Sequence, residues 1–310
     1  MLFIGRDINS QMRKIWEIDN LASRFKEDNS LYENYTSVFD SQLTDGIIES
    51  VNTKNLNQNL IYYMPHHSII KNDKETTKLR IVFDDSSKEK KTCFSLNDNL
   101  KTGPNLNPNP LILLLKFREF RIGLVSDVEK AFLQIVLAEE DRDCQRFLWS
   151  DNFPPNNLKI YRNKTVTFGV KSPFLLTATI KHHIKNYEIS QPLAYEILNE
   201  YLYVDDLITG TNTVNEALEL SKHAKLILKD ANMNLRKWKT NSIELSQNWE
   251  ESKFEKQTHN EAVPIKVLGL IWNTLTDEFE LDLSSLIDSL KMLKILNEVF
   301  CVSHLNYLIL

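Results

Sequence analysis

Apolar and polar positions change their spacing several times along the chain, and these changes predict short strands interleaved with helices. Two apolar runs, Tyr201–Val204 and Leu207–Thr209, flank an acidic pair, which is the pattern of two paired strands joined by a tight turn. Apolar residues at helical spacing predict helices at about Leu31–Val51, Leu111–Phe120 and Val214–Ala231. Strands and helices arranged around a central hairpin favour an α+β fold with a mostly antiparallel sheet.

The same spacing argument predicts the remaining elements. Apolar positions from Val128 to Val136 follow Asp127 at helical spacing and predict a helix there. Ser172-Pro173 opens another helix that runs to about Tyr187, and a helical tail is expected after the last strand. Further strands are predicted at Tyr62–Pro65, Leu79–Phe83, Gly123–Ser126, Asp141–Trp149, Thr165–Phe168, Leu235–Lys239 and Val267–Trp272.

Composition narrows the class of protein. The chain has 310 residues, of which 42% are hydrophobic and 25% are charged, which is typical of a globular protein with a sizeable core. It contains no apolar run of about 18 residues, and its first residues soon turn charged, which disfavours a secretory signal. The three cysteines, Cys93, Cys144 and Cys301, are scattered and indicate reduced thiols. We therefore expect an intracellular, cytoplasmic protein without a membrane partner.

Charge says little about a nucleic-acid partner. The formal net charge is −5, which by itself disfavours phosphate binding. Residues 71–101 gather eight Lys and Arg against six Asp and Glu, which makes that stretch only mildly basic. Because a site can concentrate acidic residues while basic residues cluster elsewhere, the overall charge is weak evidence in both directions.

Three aspartates carry the strongest chemical signal. Asp205 and Asp206 occupy the turn of the predicted hairpin, where adjacent like charges repel unless a cation compensates them. Asp127 supplies a third carboxylate from another strand end. Mg²⁺ prefers such hard oxygen ligands, and two ions roughly 3.5–4 Å apart can stabilise a phosphoryl displacement. The alternative is an Asp-Asp surface turn and an Asp that caps a helix.

Several motifs then resemble those of one enzyme family. Tyr203-Val204-Asp205-Asp206 resembles the Y-x-D-D box of reverse transcriptases, and Ser126–Phe132 resembles their first-aspartate motif. The boxes that follow the order of that family are Leu79–Asp84, Thr167-Phe168-Gly169 with Ser172-Pro173, Leu235–Trp238 and Val267–Leu270. Segments that resemble the polyproteins of BEL/Pao-type retrotransposons are Pro65-His66-His67, Ser95–Asp98, Asp141–Trp149 and Arg236–Ser242.

The resemblance covers about residues 30–280 and implies a right-hand polymerase fold with fingers, an antiparallel palm sheet and a partial thumb. We expect residues 1–29 to be a poorly ordered lead-in and residues 30–122 to form mainly the fingers. Residues 123–280 would form mainly the palm with the metal site, and residues 281–310 a partial thumb or a divergent tail.

The resemblance also assigns roles to individual residues. Asp127, Asp205 and Asp206 would be catalytic and would hold the metal together with the main-chain carbonyl of Val128. Residues implied at the deoxynucleotide are Arg80, Val128, Phe132, Phe168 and Gly169. Residues implied at the template and primer are Tyr203, Leu268 and Gly269.

For some of these residues a plainer interpretation stays open. Arg80 can be an exposed arginine on a strand, and Phe132 can be a core residue. Lys237 and Lys239 can lie on the solvated side of a strand whose Trp238 is packed.

The implied activity is that of an RNA-directed DNA polymerase, a nucleotidyltransferase that uses two Mg²⁺ ions or Mn²⁺. Its partners would be an RNA or DNA template with a primer, deoxynucleoside triphosphates and other parts of a retroelement polyprotein. One alternative is a truncated, catalytically inactive retroelement remnant that at most binds nucleic acid. Another is an unrelated α+β protein with an incidental Asp-Asp turn.

Overall fold

The computed structural model describes residues 21–51, 61–70, 79–88, 90–152, 157–171, 173–255, 265–284 and 287. The chain divides into two compact units. Unit 1 comprises residues 1–105 and 130–179, and unit 2 comprises residues 106–129 and 180–310.

The described elements alternate between helices and short strands. In chain order they are α1 (Asn29–Thr44), β1 (Ile48–Ser50), β2 (His66–Ile70), β3 (Leu79–Phe83), α2 (Leu96–Asn99), α3 (Pro110–Glu119), β4 (Ile122–Val128), β5 (Arg146–Trp149), β6 (Lys159–Asn163), α4 (Pro173–Ile184), α5 (Pro192–Glu200), β7 (Leu202–Tyr203), β8 (Asp206–Thr211), α6 (Val214–Lys229), β9 (Leu235–Thr240), α7 (Ile243–Glu251), β10 (Ile265–Val267), β11 (Leu270–Asn273) and β12 (Glu278–Glu280). Short 3₁₀ helices lie at Ala131–Gln134, Glu139–Gln145 and Lys185–Tyr187. None of these described helices combines the length and the apolarity that crossing a bilayer requires.

Unit 2 is built on a four-stranded antiparallel sheet in the order β7-β8-β4-β9. Its inner strand β4 begins with an unbroken buried run from Ile122 to Ser126, as expected of a strand that is covered on both faces. On one face, Val125 and Ile208 belong to a core with Trp272 of β11. Helices α6 and α7 contact the sheet strands, so the sheet is held between two apolar layers.

Unit 1 contains a three-stranded antiparallel sheet, β1-β6-β5, and the hairpin β2–β3. Its core is aromatic, because Tyr35 and Phe39 of α1 lie one turn apart on the buried face of that helix. The ring of Tyr35 stacks on Trp149 at 5.2 Å, and the ring of Phe39 stacks on Phe147 at 5.1 Å. Residues 21–27 are also helical, and Phe25 is buried in the same core.

The α+β class and the antiparallel sheets are confirmed, but the predicted helix after Asp127 is wrong. Strand β4 continues through Val128, whose N–H donates to the Asp205 carbonyl at 2.8 Å. The Glu129 N–H donates to the Asn234 carbonyl at 2.9 Å. These bonds hold the backbone extended, and Lys130 then adopts a φ of 48°, so only a short 3₁₀ turn follows.

Four strand predictions also need correction. The predicted strand Tyr62–Pro65 is only an isolated bridge between Tyr63 and Arg146, and strand β2 begins after it at His66. The acidic half of Asp141–Trp149 is a 3₁₀ helix, and the strand β5 is confined to its second half. Thr165 forms only an isolated bridge with Val136, and the strand of that region is β6.

The last predicted strand, Val267–Trp272, is a hairpin with its turn at Leu268 and Gly269, whose φ values are 48° and 91°. Positive φ at both central residues is the geometry that matches the twist of two paired strands. Helices α2, α5 and α7 were not predicted. The predicted lead-in before residue 21 and most of the predicted tail lie outside the described residues.

The core of unit 1 contains a histidine whose two ring nitrogens both have hydrogen-bond partners. His66 Nε2 donates to the Leu148 carbonyl at 2.9 Å, which leaves Nδ1 to accept from the Tyr35 hydroxyl at 2.6 Å. Burial, offset in part by the bond to Leu148, lowers the pKa of His66 to about 4. Its neighbour His67 is exposed.

We expect acid to destabilise unit 1 through His66. An unfolded chain protonates this ring below about pH 6.5, while the folded ring stays neutral down to about pH 4. Between these values the unfolded state binds more protons, so the free energy of unfolding falls as the pH falls, by about 1–2 kcal/mol for the partly exposed ring. Denaturant unfolding at several pH values, compared between the parent and His66→Gln, measures this slope.

The exposed His67→Gln variant on the same strand is the control and should keep the slope of the parent. An unchanged slope in His66→Gln would contradict the assignment.

Candidate functional site

The acidic pair lies at the tip of the hairpin β7–β8 in unit 2. Tyr203 pairs with Asp206, so Val204 and Asp205 form a two-residue turn. Val204 has a φ of 56°, which a β-branched residue rarely adopts and which costs about 1–3 kcal/mol. Its N–H donates to the Asn107 side-chain oxygen at 3.3 Å. The turn that presents the carboxylates is therefore strained and is held from outside the hairpin.

The third aspartate is brought to the same place by strand pairing. Asp127 of β4 lies directly opposite Asp206 of β8 in an antiparallel register. The Val128 N–H donates to the carbonyl of Asp205 at 2.8 Å. Three carboxylates from positions up to 79 residues apart in sequence thus lie at one end of one strand pair.

Burial and mutual repulsion disfavour negative charge at this end of the sheet. Burial, with smaller contributions from Asp205 and Asp127, raises the pKa of Asp206 to about 6. Burial also raises the pKa of Asp205, and the Asp127 charge adds to that rise. Such a cluster favours a cation, which stabilises the charged form of every carboxylate around it.

Two basic side chains of β9 contact Asp127. Lys237 Nζ lies 3.1 Å and Arg236 Nε lies 3.6 Å from Asp127 Oδ2. Asp127 Oδ1 is buried and has no hydrogen-bond partner. Within the described ranges, no three acidic, His or Cys side chains are arranged as a ready metal cage. The orphaned oxygen and the hard carboxylate donors nonetheless fit a divalent cation of the Mg²⁺ type.

The residues implied at the deoxynucleotide, apart from Val128, belong to unit 1. Arg80 is exposed on β3, where it pairs with Ile69, so its guanidinium is free of the core. Phe132 packs against the unit 1 core, and its ring lies 5.6 Å from the ring of the half-exposed Phe168. Packing is thus observed for Phe132, and its contact with a sugar stays a prediction.

Gly169 occupies a position that excludes a side chain. Its φ is 113°, and a Cβ there would lie 3.0 Å from both Asp85 Oδ2 and the Phe83 carbonyl oxygen. Its own carbonyl accepts from the Asn97 side chain at 2.9 Å. Burial, followed by the neighbouring Asp84 charge, raises the pKa of Asp85 to about 8. Gly169, which follows Phe168 in this loop, is therefore held in place by its neighbours.

The residues implied at the template and primer lie in unit 2. Tyr203 and Leu268 are partly buried against the core that contains Trp272. Gly269 completes the β10–β11 turn, and the space beside its missing Cβ is open. Tyr203 thus lies beside the β7–β8 turn, and Leu268 and Gly269 form the β10–β11 turn.

The sequence does not mark Asn107 or Arg236 as contributors to the site. Asn107 lies in a loop rich in Asn and Pro, and nothing in its spacing marks it as a partner of Val204. In the sequence Arg236 stands out only as part of a motif. Its contacts with Asp127 and Glu129 depend on the pairing of β9 with β4.

We expect Asn107→Ala to loosen the strained turn. The Val204 N–H would lose its protein acceptor, so its hydrogen exchange should accelerate, with a loss of about 0.5–1.5 kcal/mol of stability. Amide exchange followed by mass spectrometry or NMR measures this at Val204.

Asn109→Ala in the same loop is a matched control. It removes the side chain that caps α3 through the Leu111 and Ile112 N–H groups and should cost about 1 kcal/mol. Equal protection of Val204 in both variants would contradict the role of Asn107.

Comparisons with known proteins agree with this geometry. The structure of the foamy viral protease-reverse transcriptase dRH in complex with ds DNA matches with a TM-score of 0.54 at 18% identity. The match covers 84% of this chain and 36% of that chain, so the chain spans about a third of that protein. It shows that the fold is that of a reverse transcriptase polymerase. No curated protein matches in sequence.

The sequence also matches a family model over most of its length. The model is that of the reverse transcriptase (RNA-dependent DNA polymerase) family, and the matched residues are 6–272. The chain belongs to the reverse transcriptase (RNA-dependent DNA polymerase) family.

Proposed function

We propose that this chain is the RNA-directed DNA polymerase domain of a retrotransposon of the BEL/Pao type. The observation that carries the proposal is the register of β4 and β8, which sets Asp127 opposite Asp206 and next to Asp205. Membership of the reverse transcriptase family supports the activity, and the BEL/Pao assignment is supported by the motifs alone.

In this proposal Asp127, Asp205 and Asp206 hold two divalent ions, Mg²⁺ or Mn²⁺, with the main-chain carbonyl of Val128 as a further ligand. When bound, the ions stabilise the attacking and leaving oxygens of an in-line displacement. The reaction joins the primer 3′-oxygen to the α-phosphorus of a deoxynucleoside triphosphate and releases pyrophosphate. The aspartates position the ions, and their shared burial keeps the electrostatic interactions strong.

In this proposal residues 30–122 form mainly the fingers and residues 123–280 mainly the palm. Arg80 binds triphosphate oxygens, since a guanidinium matches phosphate in a fork. Phe132 excludes a 2′-hydroxyl, and the backbone near Phe168 and Gly169 frames the incoming base.

The template and primer form the macromolecular partner. In this proposal Tyr203 supports their backbone, and the Leu268-Gly269 turn contacts the primer end. The foamy viral relative is in complex with ds DNA, which supports a nucleic-acid partner for this chain. Other parts of a retroelement polyprotein are proposed as further partners, and the proposed location is the cytoplasm.

The test is primer extension on an RNA template with deoxynucleotides and Mg²⁺ or Mn²⁺. We expect extension by the parent and a loss of about 100-fold or more in Asp205→Asn, because a charged metal ligand is removed at the reacting centre. Asp40→Asn, an exposed position on α1, is the matched control and should extend normally.

A folded parent that binds the template but does not extend the primer would overturn the polymerase proposal. That result would favour the alternative of an inactive retroelement remnant that binds nucleic acid. A DNA template run in parallel distinguishes RNA-directed synthesis from general synthesis.

A further inference from the structure

A bulge in β9 directs two consecutive basic side chains to one carboxylate. In a regular strand, neighbouring side chains point to opposite faces. Here the pairing shifts, since Val125 faces Lys239 while Asp127 faces Arg236. The shift leaves one additional residue on β9, and Lys237 takes a φ of 53°, as bulged residues often do. Arg236 and Lys237 therefore both reach Asp127.

The backbone of the bulge is fixed independently of the lysine side chain. The Lys237 N–H donates to Glu255 Oε1 at 3.1 Å. Any residue except proline preserves that bond. The direction of the Lys237 side chain is therefore set by the backbone, and its charge can be changed without removing the anchor.

The two cations are held with different strength. Arg236 Nη1 lies 2.6 Å from Glu129 Oε1, while its Nε lies 3.6 Å from Asp127. The Arg236 side chain is 34% exposed, whereas that of Lys237 is 61% exposed. Arg236 is thus anchored by a second carboxylate, and Lys237 is a flexible ammonium that can leave Asp127 and return to water at little cost.

Lys237 and a divalent ion compete for the same carboxylate. The ammonium contacts Asp127 Oδ2 at 3.1 Å, and Asp127 Oδ1 is buried beside it without a hydrogen-bond partner. Mg²⁺ and Mn²⁺ are typically held by one or two carboxylates, and an ammonium bound to the same carboxylate repels them. Occupation of Asp127 by a metal therefore weakens the contact between Lys237 and Asp127 and favours the return of the ammonium to water.

We propose that Lys237 is the exchangeable counter-cation of Asp127, bound in the metal-free chain and displaced when a divalent ion binds. This inference rests on the proposed function in one respect, that Asp127 is a metal ligand. Lys237 neutralises Asp127 before loading and thereby lowers the affinity of the site for metal. It is a positioning residue, because it acts through Asp127.

The experiment titrates the full chain, freed of metal by chelation, with Mn²⁺ alone and follows free Mn²⁺ by electron paramagnetic resonance. Lys237→Gln should bind Mn²⁺ about 2- to 5-fold more tightly than the parent, the ratio expected from removing an exposed ion pair. Lys237→Arg keeps the charge and should bind like the parent. Lys239→Gln, two residues along the same strand, removes an equal charge away from Asp127 and should leave the affinity unchanged.

Melting temperatures give a second readout that does not depend on activity. Without metal, Lys237→Gln should melt below the parent, because Asp127 has lost a counter-charge. With saturating Mn²⁺ the difference should shrink or reverse, since a ligand that binds the folded state more tightly stabilises it more. A purely structural role would give the same difference in both conditions.

The competing outcomes are distinct. Equal or weaker Mn²⁺ binding by Lys237→Gln, or an equal gain in Lys239→Gln, would overturn the counter-cation role while primer extension by the parent leaves the proposed function intact. Mn²⁺ binding that Asp206→Asn does not weaken would count against the metal site itself, and so against the proposed function.

Discussion

The antiparallel register between β4 and β8 is the constraint on which the candidate site depends. Strand β4 is covered on both faces, and it pairs with β8 in one continuous register from Ile122 opposite Thr211 to Asp127 opposite Asp206. A slip of one residue would turn every side chain of the strand to the opposite face. Asp127 would then leave the face of Asp206. The packing of Val125 and Ile208 with Trp272 therefore also fixes the position of the carboxylates.

The site concentrates features that oppose folding. Three partly buried carboxylates repel one another, and Val204 is held at a positive φ. Both features persist only because neighbouring elements compensate them. Asn107 bonds the turn, and the bulge of β9 supplies positive charge to Asp127. Local strain and local charge are thus offset within the same unit, by residues distant in sequence.

Unit 1 combines an aromatic core with buried polar groups, among them His66 and Asp85. His66 stays neutral mainly because burial lowers its pKa to about 4, and its ring nitrogens contact a carbonyl and a hydroxyl. Asp85 and Phe83 leave little room for a side chain at Gly169, which restricts the backbone of the loop that bears Phe168. Phe168, half of whose side chain is exposed, therefore lies next to a residue whose backbone is held in place.

Sequence alone determined the α+β class, the hairpin around Asp205 and Asp206, and the place of Asp127 at a strand end, because these follow from local apolar spacing and from motifs. The helix predicted after Asp127 is absent, because the Val128 and Glu129 N–H groups donate to the carbonyls of Asp205 and Asn234 and hold the backbone extended. The partners of the site were decided only by tertiary structure. The contact of Asn107 with Val204 and that of Lys237 with Asp127 depend on strand pairing and on a bulge, and neither leaves a periodic signal in the chain.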